Sequence, residues 1–239
     1  MKLLIVIPTY NEAENLPSIA AALCALPVDG LHLLVVDDNS LDGTGVLAEN
    51  LKLTYPGRVD VLHRSGKLGL GTAYIAGFKY GLAHGFDLIG QMDADFSHPP
   101  EKLIEFVNEL ESGADLAIGS RYLPGGSLDK KWPVWRKFLS GFGNYYARTI
   151  LRLPIRDVTG GFRLWKRAML ERMPLDAIKS NGYVFQVEMF YVANQLGCRY
   201  AEIPFYFADR KFGKSKMSLK IQLEAAVNVW RLLRIHKNL

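Results

Sequence analysis

The sequence predicts an α/β protein, a mainly parallel central sheet flanked by helices, with amphipathic helices towards the C-terminal end. Three observations carry that prediction. Through the first half, short runs rich in Leu, Ile and Val alternate with amphipathic stretches, the pattern of successive βα units. The 239 residues are 49% apolar and 22% charged, with 22 Gly and 11 Pro, the balance of an ordinary globular chain able to bury a sizeable core. No repeat, low-complexity tract or linker divides the chain, so a single domain is expected over 1–239, with 1–120 and 121–239 as its two functional halves.

Strands are expected at 3–7, 31–36, 59–62, 87–91 and 116–119, each a short apolar run bounded by turn formers. Helices are expected between them at 12–26, 44–53, 72–84 and 101–111. Asn11 is a candidate N-cap for the first helix, with Glu12 and Glu14 in its first turn; Pro99 and Pro100 open the fourth, where a missing amide hydrogen does no harm. Beyond Tyr122 the pattern changes. A loop at 124–127 leads into a helical stretch at 132–153 that mixes Trp132, Trp135, Phe138, Phe142, Tyr145 and Tyr146 with Arg136, Lys137, Arg148 and Arg152. A glycine-rich turn at 159–161 follows, then an apolar helix at 183–196 containing Glu188, a strand at 199–203, a basic segment at 210–216 and an amphipathic helix at 219–235.

The formal net charge of +5 hides a division. Residues 1–120 hold 7 Lys/Arg against 16 Asp/Glu, a net of −9, whereas 121–239 hold 22 against 8, a net of +14. An acidic half suits a cation; a basic half suits phosphates, nucleic acid or an anionic membrane surface. Cys24 and Cys198 stand far apart in apolar company, which argues for a reducing compartment and against a disulfide framework. The apolar run at 3–8 is too short for a signal peptide, and no window approaches the ~18 consecutive apolar residues of a membrane span. A soluble or peripheral protein is the expectation.

Ligands of parallel sheets bind where the loops at the carboxyl ends of the strands converge. Three such ends are polar here: Pro8-Thr9-Tyr10-Asn11-Glu12, Asp37-Asp38-Asn39-Ser40 and Asp93-Ala94-Asp95. The two carboxylates of the last can turn towards one point, and oxygen donors of this kind suit Mg²⁺ or Mn²⁺ bridging to substrate phosphates. The stretch Gly66-Lys67-Leu68-Gly69-Leu70-Gly71-Thr72 lacks the spacing of a P-loop. It also follows the third strand, not the first as a dinucleotide fingerprint would. What remains is a helix entry whose glycines permit close packing.

Together these segments, with Val36-Asp37-Asp38, Leu68-Gly69-Leu70-Gly71-Thr72-Ala73, Met92-Asp93-Ala94-Asp95, Ser97-His98 and Gly119-Ser120-Arg121-Tyr122, resemble the family 2 inverting glycosyltransferases. Asp157-Val158-Thr159-Gly160-Gly161-Phe162-Arg163, Gly182-Tyr183-Val184-Phe185-Gln186-Val187-Glu188-Met189 and the segment from Asp209 to Lys216 are similar to the dolichol (polyprenol) phosphate mannose synthases within that family. The resemblance implies a GT-A type, Rossmann-like sandwich that transfers mannose from GDP-mannose to a dolichyl or polyprenyl monophosphate with inversion. It places Pro8, Tyr10, Glu12, Val36 and Asp38 on the guanosine. It gives Asp93 and Asp95, with the Ala94 backbone, to the metal and the diphosphate sugar, and Arg121, Arg210 and Lys216 to phosphates. Relatives can carry a Gln two residues after the second Asp, where this chain has Ser97, so the third metal ligand falls to Ser97 or water.

The chemistry agrees with the residues. The departing nucleoside diphosphate gathers negative charge that a divalent cation, Arg and Lys stabilise, and a lipid monophosphate is already an anionic nucleophile that needs no strong base. The stretch at 132–153 reads either as a core helix or, with the helix at 219–235 and Lys220, Arg231, Arg234 and Lys237, as a surface for membrane headgroups. Asp157 is expected to pair with Arg163 or Arg156. A peripheral protein on the cytoplasmic face of a membrane is expected, with a small membrane-anchoring subunit as a possible partner and no nucleic acid. A UDP-glucose or other UDP-sugar transferase, and a basic nucleic-acid-binding protein, are the alternatives.

Overall fold

The computed structural model describes residues 1–209 and 219–236, without the side chains of 219–225. The first half runs β1 (Leu3–Thr9), α1 (Leu16–Cys24), β2 (Leu31–Asp37), α2 (Thr44–Thr54), β3 (Val59–His63), α3 (Leu70–Ala83), β4 (Leu88–Gln91), α4 (Lys102–Glu111) and β5 (Leu116–Ser120). The second half adds β6 (Ser127–Leu128), α5 (Val134–Leu151), β7 (Arg163–Lys166), α6 (Arg167–Arg172), α7 (Gly182–Gln195), β8 (Tyr200–Pro204), β9 (Tyr206–Phe207) and α8 (Leu219–Ile235).

Seven strands form one sheet in the order β3-β2-β1-β4-β7-β5-β8. All neighbours are parallel except β7, which runs antiparallel between β4 and β5. β6 and β9 pair separately. Helices cover both faces, which is why the strands read as nearly unbroken apolar runs. Leu4, Val6, Leu34 and Val36 face a core with Tyr74, Phe78, Trp165, Phe185 and Phe190. Leu3, Ile5, Ile7, Leu33 and Val35 face the other, with Ile19, Leu23, Phe106 and Leu110. Gly77 lets α3 lie directly on the sheet: a β-carbon there would stand 2.3 Å from Val6 Cγ1.

The first helix departs from expectation. Asn11 does not cap it; α1 begins at Leu16 after Asn15. Asn11 instead takes a left-handed φ of 58°. Its amide donates to Ser40 Oγ at 2.9 Å and its Oδ1 accepts the Leu41 amide at 2.9 Å, so the neighbouring loop claims the groups that a cap would have used.

Candidate active site

The sheet order turns between β1 and β4, since β1 is followed in space by β2 on one side and β4 on the other. A crevice opens at such a switch point, outside the carboxyl ends of the strands. Pro8 and Thr9 lie opposite Val36 and Asp37 in register, which sets the first two polar strand ends side by side. Pro8, Tyr10, Glu12, Val36, Asp38, Asp93, Ala94 and Asp95 therefore share one edge of the sheet.

Each of the three loops there holds a non-glycine residue in the left-handed region: Asn11 at 58°, Asn39 at 57° and Phe96 at 61°. Asn tolerates this conformation; a Phe in it is strained, as backbones at functional sites often are. Asp37 ties the first two loops together, accepting from Thr9 Oγ1 at 3.1 Å and from Ser40 Oγ at 2.6 Å. Glu12 accepts from Asn15 Nδ2 at 2.9 Å, and its amide donates to Thr44 Oγ1 at 2.9 Å. The Lys67 ammonium lies over the Tyr10 ring, 4.3 Å from its centroid.

Asp38 is buried, and that burial raises its carboxyl above the ordinary value; Arg64 and the amides of Gly69 and Leu68 oppose the shift. Arg64 Nη1 lies 2.8 Å from Asp38 Oδ1, but off the hydrogen-bonding direction, so this buried oxygen keeps no aligned donor. The glycines before α3 do serve close approach. Gly69 has φ of 104°, and a β-carbon on Gly71 would meet the Ser180 carbonyl at 2.5 Å.

In the acid triplet, Asp95 is buried and its Oδ1 accepts the Ser97 amide at 3.0 Å. Asp93 is half-buried; its Oδ1 accepts from Tyr74 Oη at 3.3 Å, and its amide donates to His98 Nδ1 at 3.1 Å. Burial lowers the pKa of His98 against the pull of Asp93 and Asp95, so the ring is neutral at pH 7 with its proton on Nε2. Burial also drives the Tyr74 hydroxyl well above its ordinary value, with Asp93 adding to the shift, which keeps it a donor. Among the described residues no three His, Cys, Asp or Glu side chains converge on one point. The donors are oxygens, and Ser97 Oγ, buried beside Asp95, has no hydrogen-bond partner among the described residues. That set fits a hard cation whose remaining positions go to water and substrate phosphate.

Arg121 stands at the end of β5, linked to the triplet through His98 and Phe207. Its guanidinium lies 5.3 Å from the Phe207 ring, and that ring lies 5.8 Å from His98. The carboxylate that holds it is Asp157, which is neither Arg163's partner nor Arg156's as the sequence suggests. Arg121 Nε and Nη2 each lie 2.7 Å from an Asp157 oxygen, and the Arg121 amide adds a third bond at 2.9 Å. Burial pushes the Asp157 carboxyl up, but the charge and hydrogen bonds of Arg121 outweigh it and hold the group below the usual carboxylate range. Arg163 turns instead to the carbonyls of Gly160, Gln186 and Val158 at 2.7–3.0 Å, because its fully buried site offers these within reach. Burial lowers it to about 9, so it stays charged at neutral pH.

Arg210 and Lys216 lie outside the described residues. The segment leading to them is anchored: Asp209 accepts from Trp132 Nε1 at 3.0 Å, and its amide donates to Asp129 at 2.8 Å. Sequence reasoning missed Tyr74, Arg64 and Lys67 as site neighbours, and it gave His98 no role. Only His98 left a signal, lying three residues beyond the acid triplet.

Residues 4–173 match the family described as Glycosyl transferase family 2. The chain belongs to this glycosyltransferase family. It is 48% identical over 216 residues to polyprenol monophosphomannose synthase of Mycolicibacterium smegmatis, covering 90% of this chain and 80% of the relative. It is 47% identical over 232 residues to undecaprenyl-phosphate mannosyltransferase of Micrococcus luteus, covering 97% and 93%. Glucosyl-3-phosphoglycerate synthase from Mycobacterium tuberculosis, solved with Mn²⁺, UDP and phosphoglyceric acid, superposes with a TM-score of 0.70 at 19% identity over 98% of this chain and 78% of that one. The same enzyme solved with Mg²⁺ and UDP gives 0.67 at 20%, covering 98% and 79%. These structures share the GT-A fold of the glycosyltransferase described here. Among the described residues, no helix is long and apolar enough to cross a membrane.

Proposed function

We propose that this glycosyltransferase moves mannose from GDP-mannose to a polyprenyl or dolichyl monophosphate, with inversion. The observation that carries the reading is near-half identity, over 90% and 97% of the chain, to two enzymes named for making mannosyl polyprenyl phosphates. The strand-end edge supports it. Tyr10, Glu12 and Asp38, with Pro8 and Val36 beneath them, form a polar shelf for the guanosine. Asp93, Ala94 and Asp95 face the diphosphate. A Mg²⁺ or Mn²⁺ ion held by Asp93 and Asp95 would neutralise the charge that gathers on the leaving GDP.

The rest of the chemistry belongs to the chain. The acceptor phosphate oxygen attacks the anomeric carbon as the bond to the diphosphate breaks, and this single displacement inverts the centre. No residue needs to abstract a proton, which accords with a neutral, buried His98. Asp157 fixes the direction of Arg121, whose cation is held at the end of β5 to meet the acceptor phosphate. Arg210 and Lys216 contribute further cations to the phosphates.

The acceptor is a lipid, and α5 supplies a docking face. Trp135, Phe138, Phe142 and Tyr145 repeat at helical spacing and are 53–71% exposed, and Trp230 on α8 is 53% exposed beside them, joined through Trp230 Nε1 to Tyr146 Oη at 2.8 Å. Aromatics with flanking Arg and Lys suit the headgroup layer of a membrane. The reading thus places the enzyme peripherally on the cytoplasmic face, with room for a small membrane-anchoring subunit. Purified protein is incubated with Mn²⁺, labelled GDP-mannose and a polyprenyl phosphate, and labelled lipid is extracted. Wild type is expected to form it and Asp95→Ala to form none. Labelling from UDP-glucose but not GDP-mannose would overturn the donor assignment.

A further inference from the structure

A cavity of about 390 Å³ lies beside α5, lined by Tyr122, Gly141, Asn144, Tyr145, Arg148 and Arg156. Gly141, Asn144, Tyr145 and Arg148 fall on one face of the helix by their spacing. The neutral polar groups there are already engaged. Asn144 Nδ2 donates to the Arg156 carbonyl, its Oδ1 accepts the Val158 amide at 2.9 Å, and the Tyr122 hydroxyl bonds Ser140 Oγ at 2.7 Å. The two guanidinium groups are not engaged among the described residues. Neither makes an ion pair among the described residues, and Arg148 Nε is buried with no hydrogen-bond partner. The carboxylate of Glu202, on β8, is consumed by the amides of Arg156 and Asp157 at 2.8 and 3.0 Å. A concave site with two uncompensated arginines and an unsatisfied buried donor calls for an anion, and the guanidinium fork matches phosphate oxygens.

The position of the cavity selects the source of that phosphate. Tyr145, on its wall, is 63% exposed and continues the aromatic stripe through Phe142 and Phe138. Tyr122, on the cavity wall, is bonded to Ser140, and the Arg121 guanidinium lies over its ring 5.4 Å from the centroid. We infer that this pocket takes the headgroup phosphate of an anionic phospholipid, a second phosphate site distinct from the acceptor's. The inference rests on the reading that the α5 stripe lies on a membrane. Bound there, a headgroup holds α5 at one depth and fixes the distance between the bilayer and the strand-end edge.

The test is flotation of the full chain with vesicles of phosphatidylcholine alone or mixed with phosphatidylglycerol. The pocket variant Arg148→Gln/Arg156→Gln is compared with the charge-matched variant Lys52→Gln/Lys79→Gln, at exposed residues of α2 and α3. The pocket variant is expected to bind phosphatidylglycerol vesicles about tenfold more weakly than the charge-matched one, the effect of one lost charge-assisted contact. Arg156→Gln alone, at an exposed residue, is expected to move in the same direction and guards against a folding defect at Arg148. Equal binding by the two double variants, with wild type floating normally, overturns the pocket and leaves membrane docking standing. A wild type that floats on neither vesicle overturns both. If the pocket variant raises the KM for polyprenyl phosphate in detergent free of phospholipid, the site serves the acceptor and the headgroup assignment falls.

Discussion

Replacing Asp157 with Asn tests whether the buried ion cluster holds the two sides of the site together. Asp157 is fully buried, and its oxygens accept from the Arg121 amide, Nε and Nη2 and from the Gly160 amide at 2.7–3.1 Å. In Asp157→Asn the Arg121 and Arg163 guanidinium groups stay buried with no carboxylate between them, and whichever way the amide is turned its NH2 faces at least two donors. Breaking a buried pair from one side costs about 3–5 kcal/mol, a large share of the 5–15 kcal/mol that holds a typical domain together. For a chain of this size that corresponds to a fall in Tm of roughly 6–20 °C. Urea denaturation read by tryptophan fluorescence measures it directly, and Arg121→Met/Asp157→Asn is expected to recover part of the loss because it removes both charges of the pair.

The pH dependence follows from the same group. A carboxyl held below its ordinary value contributes stability that is fully present above 3.8 and is lost as pH falls through the lower folded value. The gap between wild type and Asp157→Asn is therefore flat at neutral pH and closes only in strong acid. A gap under about 1 kcal/mol at pH 7, the size of an exposed pair, would refute the argument.

Other outcomes are specific to single contacts. Arg210→Ala and Lys216→Ala each lower turnover while leaving the melting curve unchanged; normal turnover in either removes that residue from the phosphates. Glu188→Leu leaves the Ser180 amide and His236 Nε2, each now 2.8 Å from a Glu188 oxygen, without an acceptor, and costs about 2–4 kcal/mol in denaturant melts. Phe142→Ser and Trp135→Ser, both at exposed positions, leave stability within about 0.5 kcal/mol of wild type but reduce flotation with vesicles; undiminished flotation would separate α5 from the membrane.

The βα order of the first half was legible because strands buried on both faces read as apolar runs and because turn formers bound them. The strand ends were legible for the same reason: Asp38, Asp93 and Asp95 follow directly on apolar runs that have no other use for a carboxylate. Asn11 misled, since its capping groups are claimed by Ser40 and Leu41 across the loop, a tertiary contact that no local pattern encodes. The four residues of β7 include the fully buried Arg163, which belongs to no strand pattern. Asp157 had two arginines near it in sequence, Arg156 and Arg163, and only the fold brings Arg121 to it from 36 residues away. Tyr74 reads as one more apolar position of α3, and only its contact with Asp93 gives it a place at the site.

β7 comes from the basic half yet is inserted between β4 and β5 of the acidic half. A cut after Ser120 would thus leave β5 without its partner on either side; the first fragment would keep β3-β2-β1-β4, and β7 and β8 would lose every neighbour in the sheet. The two halves of such a chain are not exchangeable cassettes. A chimera that swaps one half between relatives must also carry across Arg163 and the residues facing it, Gln91 and Ile118, or the seam between the two halves will not close.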